Sequence, residues 1–552
     1  MLPRHQTPAR LPRVVLSSVV LGILVGAVVA GFEELTVRIL LDTLHDRPLW
    51  EQALAPAVGL VVAAAILRWF GPRASTSTSD EYIRAFHERH GRIPLRQLPA
   101  KLLAGAASIG SGGALGLEGP SIYAGANIGQ NLQDRMHRYF RRDETKTLLT
   151  AGAAAGVAAI FQAPATGVIF ALESPYRDDL ARRALLPSLF AAASSYLTFV
   201  AILGTEPVFP RLGGTQFDLG IMDLLGGALV GIAAGLGGRL FAGLVRWTKT
   251  SVTRAPLHWR LASAGATLAG LAVVADAVFD DPVTLGPGGR AVEWLTDGNR
   301  GLGLIVLLLA LRVCATLATL AGGGTGGLFI PLAVQGVLMG AAVGHLVGEP
   351  QTSLYPTLGL AAFLGAGYRA PIAAVMFVAE STGSTPYVVP ALIAAAMSQL
   401  VAGNSSVASY QRSVRLGHLE RRFTLPISSA LVTDVFTVPP DATLTEFVYV
   451  HVLGRRERAV AVVDGGHFRG MCSMESLADL ERSLWDTTTV GDVMRTDLPT
   501  GSASWTLRDA VAAMEAADID ILPIVDPSGI FVGLVAADDI LKLDEILDET
   551  GG

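Results

Sequence analysis

The chain has 552 residues, 51% of them hydrophobic and only 16% charged, with a formal net charge of -6 and a mean hydropathy of +0.47. Soluble domains carry about a quarter charged residues, so a large part of this chain belongs in lipid, and the mildly acidic balance gives no electrostatic case for nucleic acid as a partner. Two cysteines, Cys314 and Cys472, exclude a disulfide framework.

The chain opens with Arg4, Arg10 and Arg13 ahead of a long apolar run. That run continues past about 15 residues, and no small-residue cleavage site with a soluble domain follows. A first membrane helix with its basic end in the cytoplasm is expected rather than a signal peptide. Apolar runs then recur to about Val401, many interrupted at Gly119-Pro120, Ala163-Pro164, Ile330-Pro331 and Ala370-Pro371. A simple span needs about 20 apolar residues. Broken helices are tolerated in lipid only where they pack inside protein or line a cavity. Matched interruptions in two halves point to a transport site.

The halves do match. Segment 151–173 resembles 359–380, pairing Pro164 with Pro371 and Glu173 with Glu380. Segment 113–120 (GALGLEGP) resembles 324–331 (GTGGLFIP), and the helices opening at Gly22 and Gly227 resemble each other at nearly the same spacing. An internal duplication follows; its sense, parallel or inverted, is not readable from these residues alone.

Glu118 sits between glycines ahead of a Pro-initiated apolar helix. An ionisable residue at that depth is a functional expectation because burying it costs several kcal/mol. The plainer reading is a helix-start carboxylate capping its own N–H groups, but the flanking glycines serve close backbone approach better than capping. The counterpart 326–331 presents free N–H groups at a helix start after glycines, an anion site with no cationic side chain. Its plainer reading is a glycine-rich packing surface.

After Asn404 the chain reads as soluble. Stretches from Asp434 and Ala459 are echoed from Asp492 and Ile521, and pairing Gly470 with Gly533 sets the repeat. Each unit reads as an extended entry, a helix, a strand pair around a Gly turn and a closing helix.

Gly-Leu-Glu-Gly-Pro at 116–120, Gly-Gly-Leu-Phe-Ile-Pro at 326–331, and Phe161-Gln-Ala-Pro164 running into Phe170-Ala-Leu-Glu173 resemble the CLC family of chloride channels and chloride/proton antiporters over about residues 15–415. The tail resembles a pair of CBS domains. The resemblance implies a homodimer with one anion pathway per subunit and two inverted repeats whose helix ends meet at the site. Glu118 matches the family's gating glutamate, which competes with anions and withdraws when protonated. The N–H groups of Leu328, Phe329 and Ile330, and those around Gly119, match its anion-coordinating amides.

The departures from the family pattern fall at three places. The signature Gly-Ser-Gly-Ile-Pro-Glu is Thr76-Ser77-Thr78-Ser79-Asp80-Glu81 here. Ser77 keeps the anion-binding hydroxyl, while Asp80 is expected to add negative charge beside it. A polar, solvated loop is the plainer reading. The family's pore tyrosine position is Ala408, with Tyr410 two residues on reading best as an interfacial aromatic. The acid that feeds protons in most antiporters is replaced by Ser174, which favours passive conduction. Glu173 reads as a helix-end partner rather than a relay group.

In the tail, the nucleotide pattern Gly-x-x-Thr/Ser-x-x-Asp is divided. The first unit has Gly470, Ser473 and Ser476; the second has Gly533, Ala536 and Asp539. Adenine nucleotide at Ser473 and Asp539 stands beside a purely structural, dimerising tail. Gly110-Ser-Gly-Gly lacks the strand and Lys-Ser/Thr of a phosphate loop, and His345 has no second metal ligand at helical spacing. A magnesium-type transporter would need converging carboxylates, and no nucleophile–base constellation supports an enzyme.

The expected fold is an all-α polytopic membrane domain of two inverted repeats, followed by a soluble α+β tandem CBS module. Its parts are 1–415 (halves about 14–205 and 220–402), a 416–426 linker, and CBS units at 427–485 and 486–548. The expected function is channel-like chloride conduction across the cell membrane, gated by Glu118, with chloride/proton exchange as the alternative. The tail is expected in the cytoplasm. No metal or resident cofactor is expected beyond bound chloride.

Overall fold

The computed structural model describes residues 11–71, 74–88, 91–136, 146–205, 209, 212, 220–349, 353–382, 385–412, 425–453, 459–477, 480–517 and 519–540. Arg4 and Arg10, most of the 416–426 linker and the 541–548 end of the second tail unit lie outside the described residues. The chain divides into two compact units, Met1–Arg415 and Leu416–Gly552.

The first unit is helical. Among the described residues, seven helices are long and apolar enough to cross a membrane, from Pro12–His45 to Phe329–Leu346. Shorter apolar helices, including Thr147–Ile160, Pro164–Glu173 and Pro371–Thr382, lie between them. The outer helices expose large apolar side chains such as Leu16, Val58, Leu197 and Leu240, the surface that lipid solvates. The inner helices Thr147–Ile160 and Leu354–Tyr368 are buried along their whole length.

Small residues let the inner helices approach. Backbone meets backbone where Gly125 faces Gly152, and again where Gly336 faces Gly359, so a Cβ at any of them would collide with a carbonyl. These are small-residue crossings of the kind that drives helix association in lipid. Each crossing of the first half has its counterpart in the second.

The halves also hold each other reciprocally. Gly116 N–H donates to the Gly327 carbonyl at 2.9 Å, and Gly327 N–H donates back to Gly116 at 2.7 Å. Glu380 accepts from the N–H groups of Ala165 (2.9 Å) and Thr166 (2.7 Å) and from the Thr166 hydroxyl (2.6 Å). Glu173 accepts from Ile372 (3.2 Å) and Ala373 (2.9 Å). Each carboxylate caps the Pro-initiated helix of the opposite half, which is the relation a pseudo-two-fold axis between inverted repeats produces. Glu173 is thus a helix-end partner.

The Gly110–Gly113 stretch has a structural reason. Gly112 takes φ +98° just beyond the helix Leu98–Gly110, and Gly113 N–H returns to the Ser108 carbonyl at 3.0 Å, a helix C-terminus closed by glycine. His345 lies in the last turn of Phe329–Leu346. Buried Arg312 is held by carbonyls instead of a carboxylate: Thr284 (2.8 Å), Gly286 (3.0 Å) and Pro287 (2.7 Å).

The second unit contains two small sheets of the same design. In one, β1 (Thr437–Val438) runs parallel to β2 (Ala459–Asp464), and β2 antiparallel to β3 (His467–Ser473). In the other, β4 (Gly501–Ser502), β5 (Ile521–Val525) and β6 (Phe531–Ala536) repeat that order and sense. Gly465 and Gly466 adopt positive φ in the β2–β3 turn, as a two-residue hairpin requires. The hairpins meet end to end, where Phe468 stacks on Phe531 at 6.0 Å and Phe531 N–H donates to the Gly466 carbonyl at 2.9 Å.

The repeat along the chain and the cores in space differ. Ile427 and Ala430, from the start of the first unit, pack with Leu507 and Leu522 of the second. Val490, from the start of the second, packs with Val438 and Val460 of the first. Each entry segment crosses to the other core because its strand partner lies there: Val432 pairs with Leu534, and Arg495 with Met471.

Candidate functional site

Four broken-helix starts converge in the membrane unit. Two of them, at Pro164 and Pro371, are capped by Glu380 and Glu173 as above. The other two, at Glu118 and Phe329, open Glu118–Arg135 and Phe329–Leu346 and meet across the Gly116–Gly327 bridge.

Glu118 is completely buried. Its Oε1 accepts from the Phe329 N–H at 2.6 Å, and its Oε2 has no partner among the described residues. The carboxylate is therefore seated on the first amides of the opposite half's helix, and its own backbone N–H also faces it. Glycines make room for it: a Cβ at Gly116 or Gly327 would strike the carboxylate itself. A Cβ at Gly119 would strike the Thr78 hydroxyl and the backbone of 326–327. Phe329 is fixed from behind by Phe161 (4.5 Å), Phe377 (5.1 Å) and Phe170 (5.3 Å). Leu328, Phe329 and Ile330 are all buried.

The loop 76–81 reaches this site although its glycines and proline are gone. The Thr78 hydroxyl donates to the Gly326 carbonyl at 3.1 Å. Fully buried Lys101 holds the loop from below, donating to the Ser77 carbonyl at 2.5 Å and pairing with Glu81 at 2.8 Å. Thr76 to Asp80 line a cavity of about 360 Å³ together with Gly326, Leu328, Lys249 and Tyr368. The loop is a wall of that cavity, with Thr78 and Asp80 buried and Ser75 and Thr76 exposed. Asp80 brings its carboxylate to that wall, and Lys249 Nζ lies 2.6 Å from its Oδ2.

Sequence reasoning missed Tyr368. It is buried, its ring lies 5.2 Å from Phe170, and its hydroxyl faces Ser79 and the Leu328 N–H. A phenol thus stands at the cavity wall from the helix Leu354–Tyr368, while Ala408 is a neighbouring lining residue. Tyr410 is 60% exposed at the same cavity. The signal was in the duplication: Tyr368 falls opposite Phe161 at the spacing that pairs Pro371 with Pro164.

The Ser174 hydroxyl is buried with no partner among the described residues, and its carbonyl accepts from Gln411 at 2.8 Å. In the tail, Ser473 ends β3 with its hydroxyl 3.4 Å from that of Ser476. Asp539 lies just after β6 in the other unit, at the position that corresponds to Ser476 rather than to Ser473. Among the described residues no group of three His, Cys, Asp or Glu side chains is placed to hold a metal.

The chain is 27% identical over 415 residues to the H(+)/Cl(-) exchange transporter ClcA of Salmonella paratyphi A, covering 71% of this chain and 85% of that one. A solved CLC-type fluoride/proton antiporter shares the fold with a TM-score of 0.63 at 24% identity, covering 74% of this chain and all of that one. A solved eukaryotic CLC transporter matches 96% of this chain and 98% of its own, with a TM-score of 0.59 and 17% identity. The CBS domain family model matches residues 490–545. The family model described as voltage gated chloride channel matches residues 58–403, well over half of a multi-pass membrane protein with a soluble CBS tail. The chain belongs to the voltage gated chloride channel family.

Proposed function

We propose that the protein moves chloride across a membrane in exchange for protons, with Glu118 as the group that both occupies the anion site and carries the proton. The observation that carries this reading is the Glu118 carboxylate on the Phe329 N–H. A helix-start amide that binds a carboxylate binds a chloride by the same charge and dipole. Hydrogen bonds to a charged group are worth about 1.5–3 kcal/mol, and protonation removes that advantage and frees the amides. Chloride then takes the N–H groups of Leu328, Phe329 and Ile330 and those around Gly119, with the Ser77 hydroxyl contributing from the loop. We place one such pathway in each subunit of a homodimer.

Exchange is chosen over the passive conduction expected from Ser174 because the curated relative is named an exchange transporter. Passive conduction remains the second reading on one observation: the position after Glu173 is Ser174 and not a carboxylate. In the tail, which we place in the cytoplasm, we assign adenine nucleotide to Ser473 and Asp539. Binding heat with ATP that disappears in Ser473→Ala or Asp539→Ala tests this, and no heat in the wild type assigns the tail to dimerisation.

The transport test uses purified protein in liposomes under a chloride gradient, with potassium and valinomycin setting the potential. Exchange drives protons uphill in fixed ratio to chloride. Chloride flux with no coupled proton movement overturns exchange in favour of passive conduction.

A further inference from the structure

Among the described residues, Asp80 and Lys249 are the charged side chains that line the 360 Å³ cavity; the rest of its wall is hydroxyl, glycine and apolar. They are not an ordinary surface pair. Their side chains are 11% and 27% exposed, and both are tied further. Asp80 Oδ1 accepts from the Ser409 N–H at 2.8 Å, while Lys249 Nζ also donates to the Val407 carbonyl at 3.0 Å. The pair therefore joins three separate pieces of chain around one cavity: the loop that carries Ser77, the last turn of Ile221–Thr250, and the 407–409 segment. Val407 N–H in turn donates to the Gly367 carbonyl at 2.8 Å, next to Tyr368.

We infer that Asp80 and Lys249 together set the electrostatic potential of the cavity through which the anion reaches the site, and with it how tightly the anion is held there. This rests on the anion-transport reading above. A lysine alone would hold an anion in the cavity; an aspartate alone would repel it. Together, at 2.6 Å, they present a nearly neutral dipole that lets an anion in without trapping it. Clefts with low-dielectric walls focus such fields, so changing one member is felt by every ion that enters. The two members must then act in opposite directions, which a merely structural clamp would not produce.

The test is chloride flux as a function of chloride concentration for full-length protein in liposomes. Asp80→Asn leaves Lys249 uncompensated and lowers the half-saturating chloride concentration, on the order of threefold at low salt. Lys249→Gln leaves Asp80 uncompensated and raises it by a similar factor. The double variant falls between the two, and Lys249→Arg restores the value lost in Lys249→Gln. Elution of each variant at the wild-type volume in detergent checks folding. Single variants that shift in the same direction, or neither shifting, overturn the inference while leaving chloride transport standing. A wild-type protein that passes no chloride overturns the transport reading and this inference together.

Discussion

The Phe329 N–H is the smallest unit of the account: one amide, pointed by a helix and backed by three aromatic rings, with a carboxylate 2.6 Å away. Its neighbour Tyr368 brings a phenol to the same cavity wall. A hydroxyl donor facing an anion path stabilises the anion there by about 0.5–1.5 kcal/mol, the net worth of one hydrogen bond. Tyr368→Phe is therefore expected to weaken chloride binding up to about tenfold, measured as chloride binding heat in detergent; unchanged affinity would remove the phenol from the pathway. Glu118 and the 328–330 amides were legible in the sequence because an acid flanked by glycines is costly in lipid and needs a reason. Tyr368 was not, since an aromatic beside a helix end carries no such cost. The Asp80–Lys249 pair was half legible. Asp80 showed as a departure, but its partner is 169 residues away and no local pattern joins them.

At the scale of the helix, the reciprocal caps decide the architecture. Glu380→Ala leaves two N–H groups and a hydroxyl of the 164–173 helix without their acceptor, each costing about 1–3 kcal/mol. The expected outcome is a lower thermal transition in detergent, several degrees below wild type, and the same for Glu173→Ala. Glu380→Gln, which keeps an acceptor oxygen, is expected to lose less. A cap variant with wild-type melting would contradict the assignment. Gly152→Val would drive a side chain into the Gly125 carbonyl and is expected to abolish the monodisperse peak in size-exclusion chromatography. The Pro-initiated helices and their paired glutamates were visible as a duplication. That each glutamate serves the other half's helix was not visible, because similarity between halves says which residues correspond and nothing about which of them touch.

At the scale of the molecule, a lipid-embedded unit and a soluble unit obey different rules. In the tail, exposed carboxylates cap short elements and titrate accordingly. The Thr489 hydroxyl and N–H hold Asp492 below the usual carboxylate range, the Thr506 N–H and hydroxyl do so for Asp509, and the Ser528 hydroxyl does so for Asp526. Because these folded-state values are depressed, their stabilisation is present above the unfolded carboxylate range, about 3.9, and is lost as the pH falls through the lower folded values. Calorimetric melting of the tail is expected to drop as the pH is lowered from about 5 to about 2.5, with a shallower drop in the Thr489→Ala, Thr506→Ala double variant. Burial pushes the Cys472 thiol up to about 12, so it is expected to resist thiol reagents at neutral pH while the tail is folded. The tandem repeat of the tail was readable from its glycines and strand composition. Its crossed cores were not, because the segments that cross are short and pair by backbone hydrogen bonds that any side chain permits.

These scales meet at Glu118, and chloride flux across pH in Glu118→Gln, a mimic of the protonated carboxyl, tests the central claim most directly. The account requires that chloride still flows and that most of the wild-type pH dependence is gone. A pH dependence equal to that of the wild type would contradict it and move the gate to another residue.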